Sequence, residues 1–197
     1  MQIVLATHNE GKKIEFIQLC SSLPYSVQNL SNYPHVPESP EDHDTFDGNA
    51  LQKARFVFSY TKGIVVADDS GLCVDALNGA PGVYSKRYSK EQDSFHNNHK
   101  LLFELQNTAN RQAHFHCSIA VVSPYKEWIV QGKCFGKIAM QTVGENGFGY
   151  DPLFIPDAFP AKTMAQLSMK EKNAISHRGL AMQQLHDIFK ELTDLSS

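Results

Sequence analysis

The chain has 197 residues, of which 42% are hydrophobic and 20% charged, a composition typical of one globular domain and unlike a disordered chain. With 18 Lys and Arg against 21 Asp and Glu, the net charge of −3 argues against a general nucleic-acid binder. The apolar runs at 64–67 and 119–122 are strand-sized, so we expect a single cytoplasmic domain over residues 1–197 and no membrane span.

Hydrophobic periodicity predicts alternating strands and helices, followed by a hairpin. In chain order, we expect a strand at 2–6, a helix at 12–23, a strand at 25–30, a polar loop at 31–44, a helix at 46–58, a strand at 64–67, a helix at 91–106, strands at 112–123 and 127–139, a short strand at 153–155 and a helical C-terminal segment. The helix at 91–106 is expected to place Phe95, Leu102 and Leu105 on one apolar side. Together, these elements favour an α/β fold in which helices flank a mixed sheet.

Two acidic residues, Asp68 and Asp69, directly follow the predicted strand at 64–67. Ligands collect at the carboxyl ends of strands in open α/β sheets, and carboxylate oxygens are the ligands that Mg²⁺ prefers. Adjacent side chains on an extended segment point to opposite sides, so one carboxylate can face a site while the other orients a different group. Asp-Asp-Ser-Gly is also ordinary turn composition, so a solvated turn at the strand end is the structural alternative.

The loop between the first strand and the first helix, Thr7-His8-Asn9-Glu10-Gly11-Lys12, is a second candidate site. The N-terminus of a helix presents free N–H groups to an anion. Lys12 lies in the first turn, where a cation opposes the helix dipole unless an anion binds there. The loop is not a Walker A motif, which needs Gly at the position of Ala6 and Ser or Thr at that of Lys13. An exposed loop lysine is the alternative interpretation.

A third candidate, Phe148-Gly149-Tyr150-Asp151, combines aromatic rings with glycines that let backbone approach closely. Aromatic faces can stack on nucleotide bases, although a core aromatic residue beside a bend explains the pattern equally well.

The last candidate residues are Lys172, His177 and Arg178, which follow a capping box formed by Ser168 and Glu171. One continuous helix would spread these three side chains too widely to meet at one site. A break at Ser176 would let His177 and Arg178 open a new helix beside its free N–H groups. A convergent site therefore predicts a helix break, and the structural alternative predicts one unbroken helix.

Six segments, taken together, resemble the inosine/xanthosine triphosphate pyrophosphatase family. They are THNEGK at 7–12 with Glu15 following, TFDGNA at 45–50, ADDSGL at 67–72, GAPGVYS at 79–85, GFGYDP at 147–152, and EK at 171–172 with SHR at 176–178. They occur in family order and cover essentially the whole chain.

The resemblance implies a Mg²⁺-dependent hydrolase that converts inosine, deoxyinosine and xanthosine triphosphates to the monophosphate and pyrophosphate by attack at the α-phosphorus. It also implies an elongated mixed β-sheet with flanking helices, arranged as two lobes with a central cleft, and a homodimer. The expected partner is a small-molecule nucleotide, with no nucleic acid and no membrane. Two alternatives stay open: a non-catalytic nucleotide-binding module, and a broader nucleoside triphosphate pyrophosphatase.

Matched by position, the resemblance assigns Asp69, Asp68 and Lys12 to catalysis, with Asp69 as general base, and Glu41 and Asp69 to the metal. Substrate contacts are implied for Thr7, His8, Asn9, Glu10, Gly11, Lys12, Ser70, Phe148, Gly149, Tyr150, Asp151, Lys172, His177 and Arg178. The chain departs from the family at Gly48, where many members have Glu, and at His8, where a small residue is usual. Asp47 is adjacent to Gly48 but is expected on another face of the helix.

Overall fold

The computed structural model describes residues 2–20 and 26–195. Within these residues the chain forms the strands β1 Gln2–Leu5, β2 Ser26–Asn29, β3 Ile64–Val74, β4 Gln112–Val122, β5 Glu127–Ile138 and β6 Phe154–Pro156. The α-helices are α1 Glu10–Cys20, α2 Phe46–Thr61, α3 Ser94–Glu104, α4 Met169–Ile175, α5 His177–Gln183 and α6 Leu185–Leu195. The predicted end of the first helix at Leu23 and Pro24 lies outside the described residues.

The strands form one mixed sheet in the order β2-β1-β3-β4-β5-β6. Strand β1 pairs in parallel with β2 and with β3, whereas β5 and β6 pair antiparallel. Strands β4 and β5 are neighbours joined only by residues 123–126, and parallel strands need a much longer connection, so these two form an antiparallel hairpin. The predicted α/β fold, with a mixed sheet and flanking helices, is confirmed.

The chain divides into two compact units. The first consists of Met1–Asp69, Cys117–Gly132 and Arg178–Ser197, and the second consists of Ser70–His116 and Lys133–His177. In the first unit both faces of the sheet are buried, because alternate residues of β1 and β3 pack into two different apolar clusters. In the second unit, one cluster includes Leu101 of α3, Leu105 directly after this helix, and residues of the later strands.

Strand β3 is longer than predicted, because it continues through Asp68 and Asp69 to Val74. The two aspartates are only 5% and 7% exposed, so both the predicted strand end and the alternative of a solvated turn are wrong. The apolar run at 64–67 reads as a complete strand because both of its faces are buried. The two carboxylates that follow this run can be buried because nearby cations compensate their charge.

Helix α3 also differs from its prediction. Phe95 is 72% exposed, while Leu101 and Leu105 are buried beside Asn97 and Asn98. The asparagine amides can be buried because they donate hydrogen bonds to backbone carbonyls. A prediction based on the spacing of apolar residues does not identify such polar residues as part of the core.

The C-terminal helical segment is broken at Ser176, as the convergent site requires. Helix α4 ends at Ile175, Ser176 has the extended dihedrals φ −68° and ψ 151°, and α5 begins at His177. The predicted capping box of Ser168 and Glu171 is present at the start of α4. Among the described helices, none combines the length and the apolar character that crossing a membrane requires.

Candidate active site

Charged side chains of the first unit meet around Asp68. Lys12 Nζ lies 3.0 Å from Asp68 Oδ2, and Arg178 Nη2 lies 3.1 Å from the same oxygen. Arg178 also contacts Glu15, which stands three residues after Lys12 on α1 and therefore on a neighbouring part of the helix surface. The guanidinium fork thus holds two buried carboxylates, which a lysine with its compact charge could not do in the same way.

These cations set the ionisation of Asp68. Burial raises the pKa of this carboxyl, but Lys12, Arg178 and Lys53 outweigh burial and hold the pKa far below its ordinary value. Burial likewise lowers the pKa of Arg178, and Asp68 and Glu15 outweigh it and raise that pKa. Asp68 is therefore a permanent carboxylate whose charge is neutralised by its neighbours.

Asp69 lies in a different environment, because adjacent strand residues point to opposite sides. Its Oδ2 accepts a hydrogen bond of 3.0 Å from Asn49 Nδ2, on the first turns of α2. Burial raises the pKa of Asp69, and the opposing effects of Lys12, Lys53 and the Asn49 hydrogen bond do not cancel it. A carboxylate with a raised pKa is a stronger proton acceptor, so Asp69 is the better base of the two.

Lys53 belongs to this cluster and was missed in the sequence. Its Nζ contacts the Glu41 carboxylate and donates to the main-chain oxygen of Asp68 at 3.2 Å. Burial lowers its pKa, but Glu41, Asp68 and Asp69 raise it above the ordinary value. The sequence could have indicated Lys53 through its spacing, because it follows Asn49 by one helical turn and lies on the same face of α2.

The candidate residues of the 7–12 loop fall into two groups, those that position Lys12 and those that are exposed to solvent. Asn9 Oδ1 accepts the Lys12 N–H at 3.1 Å, in the manner of a helix N-cap, and Thr7 Oγ1 accepts the Asn9 N–H at 3.2 Å. This loop directs Lys12 to Asp68. His8 and Glu10 instead are exposed, and Glu10 pairs with Lys13 at 3.3 Å.

Asp47 does not replace a carboxylate at position 48. Its Oδ1 accepts hydrogen bonds from Ser118 Oγ at 2.5 Å and from Gln131 Nε2 at 2.8 Å. Its expected placement on another face of α2 agrees with these partners, which come from β4 and β5.

In the second unit, the third candidate segment forms a compact group around Asp151. Its Oδ2 accepts from Lys172 Nζ at 2.7 Å and from the Phe148 N–H at 2.8 Å. Lys172 Nζ also lies 4.9 Å from the centre of the Phe148 ring. A Cβ at Gly147 (φ +79°) would lie 2.0 Å from Asp151 Oδ2, so this turn requires glycine.

Further contacts within the second unit hold the neighbours of this group. Asn98, which the sequence analysis missed, donates from Nδ2 to the Gly149 carbonyl at 3.1 Å. The Tyr150 hydroxyl donates to the Ser85 carbonyl at 2.9 Å. The ring of His177 stacks on Phe115 with centroids 4.8 Å apart. Ser70, predicted to contact substrate, is half-buried on β3.

The first unit offers oxygen ligands for a cation at Glu41 and Asp69. The two carboxylates interact, since Glu41 contributes to the raised pKa of Asp69. No group of three or more His, Cys, Asp or Glu side chains in the described ranges forms a complete metal cage. This donor set fits Mg²⁺, which usually takes one or two carboxylates and completes its shell with water and substrate phosphates.

Comparison with known proteins gives full-length matches. A Bacillus anthracis protein named dITP/XTP pyrophosphatase is 47% identical over 196 residues, which cover 96% of each chain. The Staphylococcus aureus Ham1 protein has a similar structure, with a TM-score of 0.87 at 39% identity, covering 97% of this chain and 99% of that one.

A second solved structure, the nucleoside-triphosphatase / dITP/XTP pyrophosphatase of Mycobacterium abscessus, has a TM-score of 0.77 at 41% identity, with 94% of this chain and 98% of that one covered. These relatives confirm the resemblance drawn from the six segments. Residues 3–188 also match the sequence model of the Ham1 family, so the chain belongs to this family.

Proposed function

We propose that the protein hydrolyses deaminated purine nucleoside triphosphates, namely dITP, ITP and XTP, to the monophosphate and pyrophosphate with the help of Mg²⁺. Relatives named dITP/XTP pyrophosphatase support the substrate class. The observation that carries the reaction is the pair of buried aspartates, of which Asp68 is neutralised by cations while Asp69 has a raised pKa. We also propose that the protein is a homodimer and acts in the cytoplasm.

In this mechanism, Asp69 accepts the proton of the water that attacks the α-phosphorus. Lys12 and Lys53 bind phosphate oxygens, and Arg178 keeps Asp68 in place as the counter-charge that orients Lys12. Glu41 and Asp69 would hold Mg²⁺, which when bound neutralises charge on the phosphates. Positioning and charge neutralisation supply most of the acceleration in phosphoryl transfer, so a rigid buried cluster suits this task.

We further propose that the second unit's residues recognise the base. The Phe148 ring offers an aromatic face for stacking, and Lys172 beside it is a hydrogen-bond donor. Donors at Lys172 and His177 match the 6-keto acceptor of hypoxanthine and xanthine and mismatch the 6-amino donor of adenine. Sites that leave a buried group unpaired with the wrong substrate can discriminate by roughly 10⁴.

The remaining substrate roles also stay proposals: the 7–12 loop for phosphates, Ser70 for the sugar, and Gly149 to Asp151 for the shape of the base pocket. Arg178 already donates to Glu15 and Asp68 in the structure. A substrate contact of Arg178 would therefore require it to give up one of these two bonds.

A pyrophosphate-release assay tests the function. The purified protein is incubated with dITP, XTP, ATP or dTTP, each with Mg²⁺ and with excess chelator. We expect pyrophosphate from dITP and XTP only when Mg²⁺ is present, with kcat/KM lower for ATP by roughly 10³ or more. Binding of dITP without turnover would identify a nucleotide-binding module, and equal turnover of dTTP would identify a broader pyrophosphatase.

A further inference from the structure

The end of the long loop, residues 41–43, is fastened to α2 by side chains spaced along that helix. Gln52 Nε2 donates to Asp42 Oδ1 at 2.6 Å, and Gln52 Oε1 accepts the Asp42 N–H at 3.4 Å. One turn earlier, Asn49 Oδ1 accepts the His43 N–H at 2.9 Å. Both neighbours of Glu41 on its C-terminal side are therefore tied to the same rigid element.

The same helix face reaches the proposed catalytic carboxylates. Lys53 contacts Glu41, and the amide of Asn49 that accepts the His43 N–H also donates to Asp69. Asn49 is 1% exposed, so its carboxamide is fixed between the loop and β3. A shift of the loop would consequently move Glu41 relative to Asp69.

Gly48 is what allows the loop to lie this close. A Cβ at this position would lie 2.8 Å from both Cβ and Cγ of His43 and 2.9 Å from Thr45 Oγ1. Thr45 Oγ1 is the N-cap of α2 and accepts the Gly48 N–H. Any larger residue at position 48 must therefore displace His43 or disturb the N-cap.

We propose that Gly48, the backbone N–H of His43 and the side chain of Gln52 position Glu41 for the metal. This inference rests on the proposed function, because it takes Glu41 as a metal ligand. His43 occupies the space above Gly48 that a side chain at position 48 would otherwise fill. The loop can make this contact because position 48 has Gly instead of the Glu of many family members. Residues that hold metal ligands typically change metal affinity by roughly 10–100-fold when they are mutated.

Gly48→Ala tests the contact directly. We expect the His43 backbone N–H, measured by NMR without metal or nucleotide, to exchange with solvent at least roughly tenfold faster because its bond to Asn49 is strained. The Mg²⁺ concentration for half-maximal dITP turnover should rise roughly tenfold. KM for dITP at saturating Mg²⁺ should not change. A surface pocket of about 460 Å³ adjoins His43 and Gly48, so the displaced imidazole has space and the variant should fold.

The double variant His43→Gly/Gly48→Ala provides the rescue. It removes both His43 atoms that an alanine Cβ would meet and leaves the contact with Thr45 Oγ1, so both readouts should return at least part of the way to wild type. An equal loss with and without the His43 side chain would overturn the steric coupling. So would unchanged exchange in Gly48→Ala.

Two further variants test the link to the metal. Gln52→Met keeps the side-chain length but removes the bonds to Asp42, and should raise the Mg²⁺ requirement. Arg55→Gln, on the same helix, removes an exposed ion pair with Glu127 and should leave the requirement unchanged. If exchange responds but no variant changes the Mg²⁺ requirement, the positioning role is wrong while the proposed function stands. If the wild type hydrolyses no nucleotide, the function fails and the exchange data still decide the contact.

Discussion

Asp68 and Asp69 are the same chemical group on adjacent residues, yet their environments move their pKa values in opposite directions. The alternation of a strand turns one carboxylate toward Lys12 and Arg178 and the other toward Asn49. One side chain is thereby fixed as a counter-ion, and its neighbour is a buried carboxyl group with a raised pKa. Separating the pKa values of paired carboxyl groups is a general way to divide roles between them.

We predict that Asp68→Asn destabilises the folded protein. The variant leaves the buried Arg178 and the half-buried Lys12 beside a neutral amide, and breaking a buried ion pair in this way costs about 3–5 kcal/mol of unfolding free energy. Because the pKa of Asp68 is lower in the folded than in the unfolded state, its stabilisation is present above the unfolded pKa of about 4 and is lost as pH falls below it.

Urea unfolding of both proteins from pH 8 to pH 3 measures this difference. We expect a constant gap down to about pH 5 that narrows only below about pH 4. A gap that already closes between pH 8 and pH 6, or no gap at neutral pH, would contradict the description of Asp68.

The sequence drew attention to Lys12, Asp68, Asp69 and Arg178 because each lies at the end of a predicted strand or the start of a predicted helix, although β3 continues past the two aspartates. The structure brings them together in one unit. Lys53 could not be identified in the same way, because a lysine inside an amphipathic helix is ordinarily solvated. Its burial depends on Glu41 and the two aspartates, which come from other parts of the chain.

Among the elements, α4 depends most on its cap. It contains 7 residues, and its capping box joins Ser168 to Glu171 through both backbone and side-chain bonds. Helices this short gain little from propagation, so satisfying the first N–H groups matters more than in long helices. Lys172, which forms a salt bridge with Asp151, lies on this helix.

We therefore predict that Ser168→Ala lowers the free energy of unfolding by about 1 kcal/mol, measured by urea denaturation. Ser59→Ala is the matched control, since Ser59 lies inside α2 and bonds only to the Phe56 carbonyl one turn back. The control should stay within about 0.5 kcal/mol of wild type. Equal stability of the two variants would show that the cap contributes nothing.

The elements also show where sequence patterns fail. The helix break at Ser176 was predictable because capping residues are local signals. The length of β3 was not, because the buried aspartates are stabilised by Lys12 of α1 and Arg178 of α5, contacts that no local window contains. Apolar periodicity likewise misjudged Phe95, because buried asparagine amides occupy part of the core side of α3.

Across the whole molecule, each of the two units contains its own group of candidate residues. The first holds the carboxylates and the cations that neutralise them, and the second holds the aromatic ring with its lysine. A net charge of −3 would disfavour a polyphosphate over the whole surface, so attraction must come from local cations such as Lys12 and Lys53. Overall composition indicated a globular domain but could not reveal this local arrangement.

Asp69 is the proposed general base, and Asp69→Asn removes its ability to accept a proton. A carboxyl whose pKa rises on folding is less stable ionised inside the protein than in the unfolded chain, so its stability cost grows as pH rises. Removing the charge should therefore leave the protein at least as stable as wild type at neutral pH, while Asn49 can still donate to the new amide oxygen.

The decisive measurement is kcat for dITP with saturating Mg²⁺, compared between wild type and Asp69→Asn together with dITP binding and thermal stability. We predict that kcat falls by roughly 10²–10⁴, that binding remains measurable, and that the melting temperature does not fall. Turnover close to wild type in this folded variant would contradict the account.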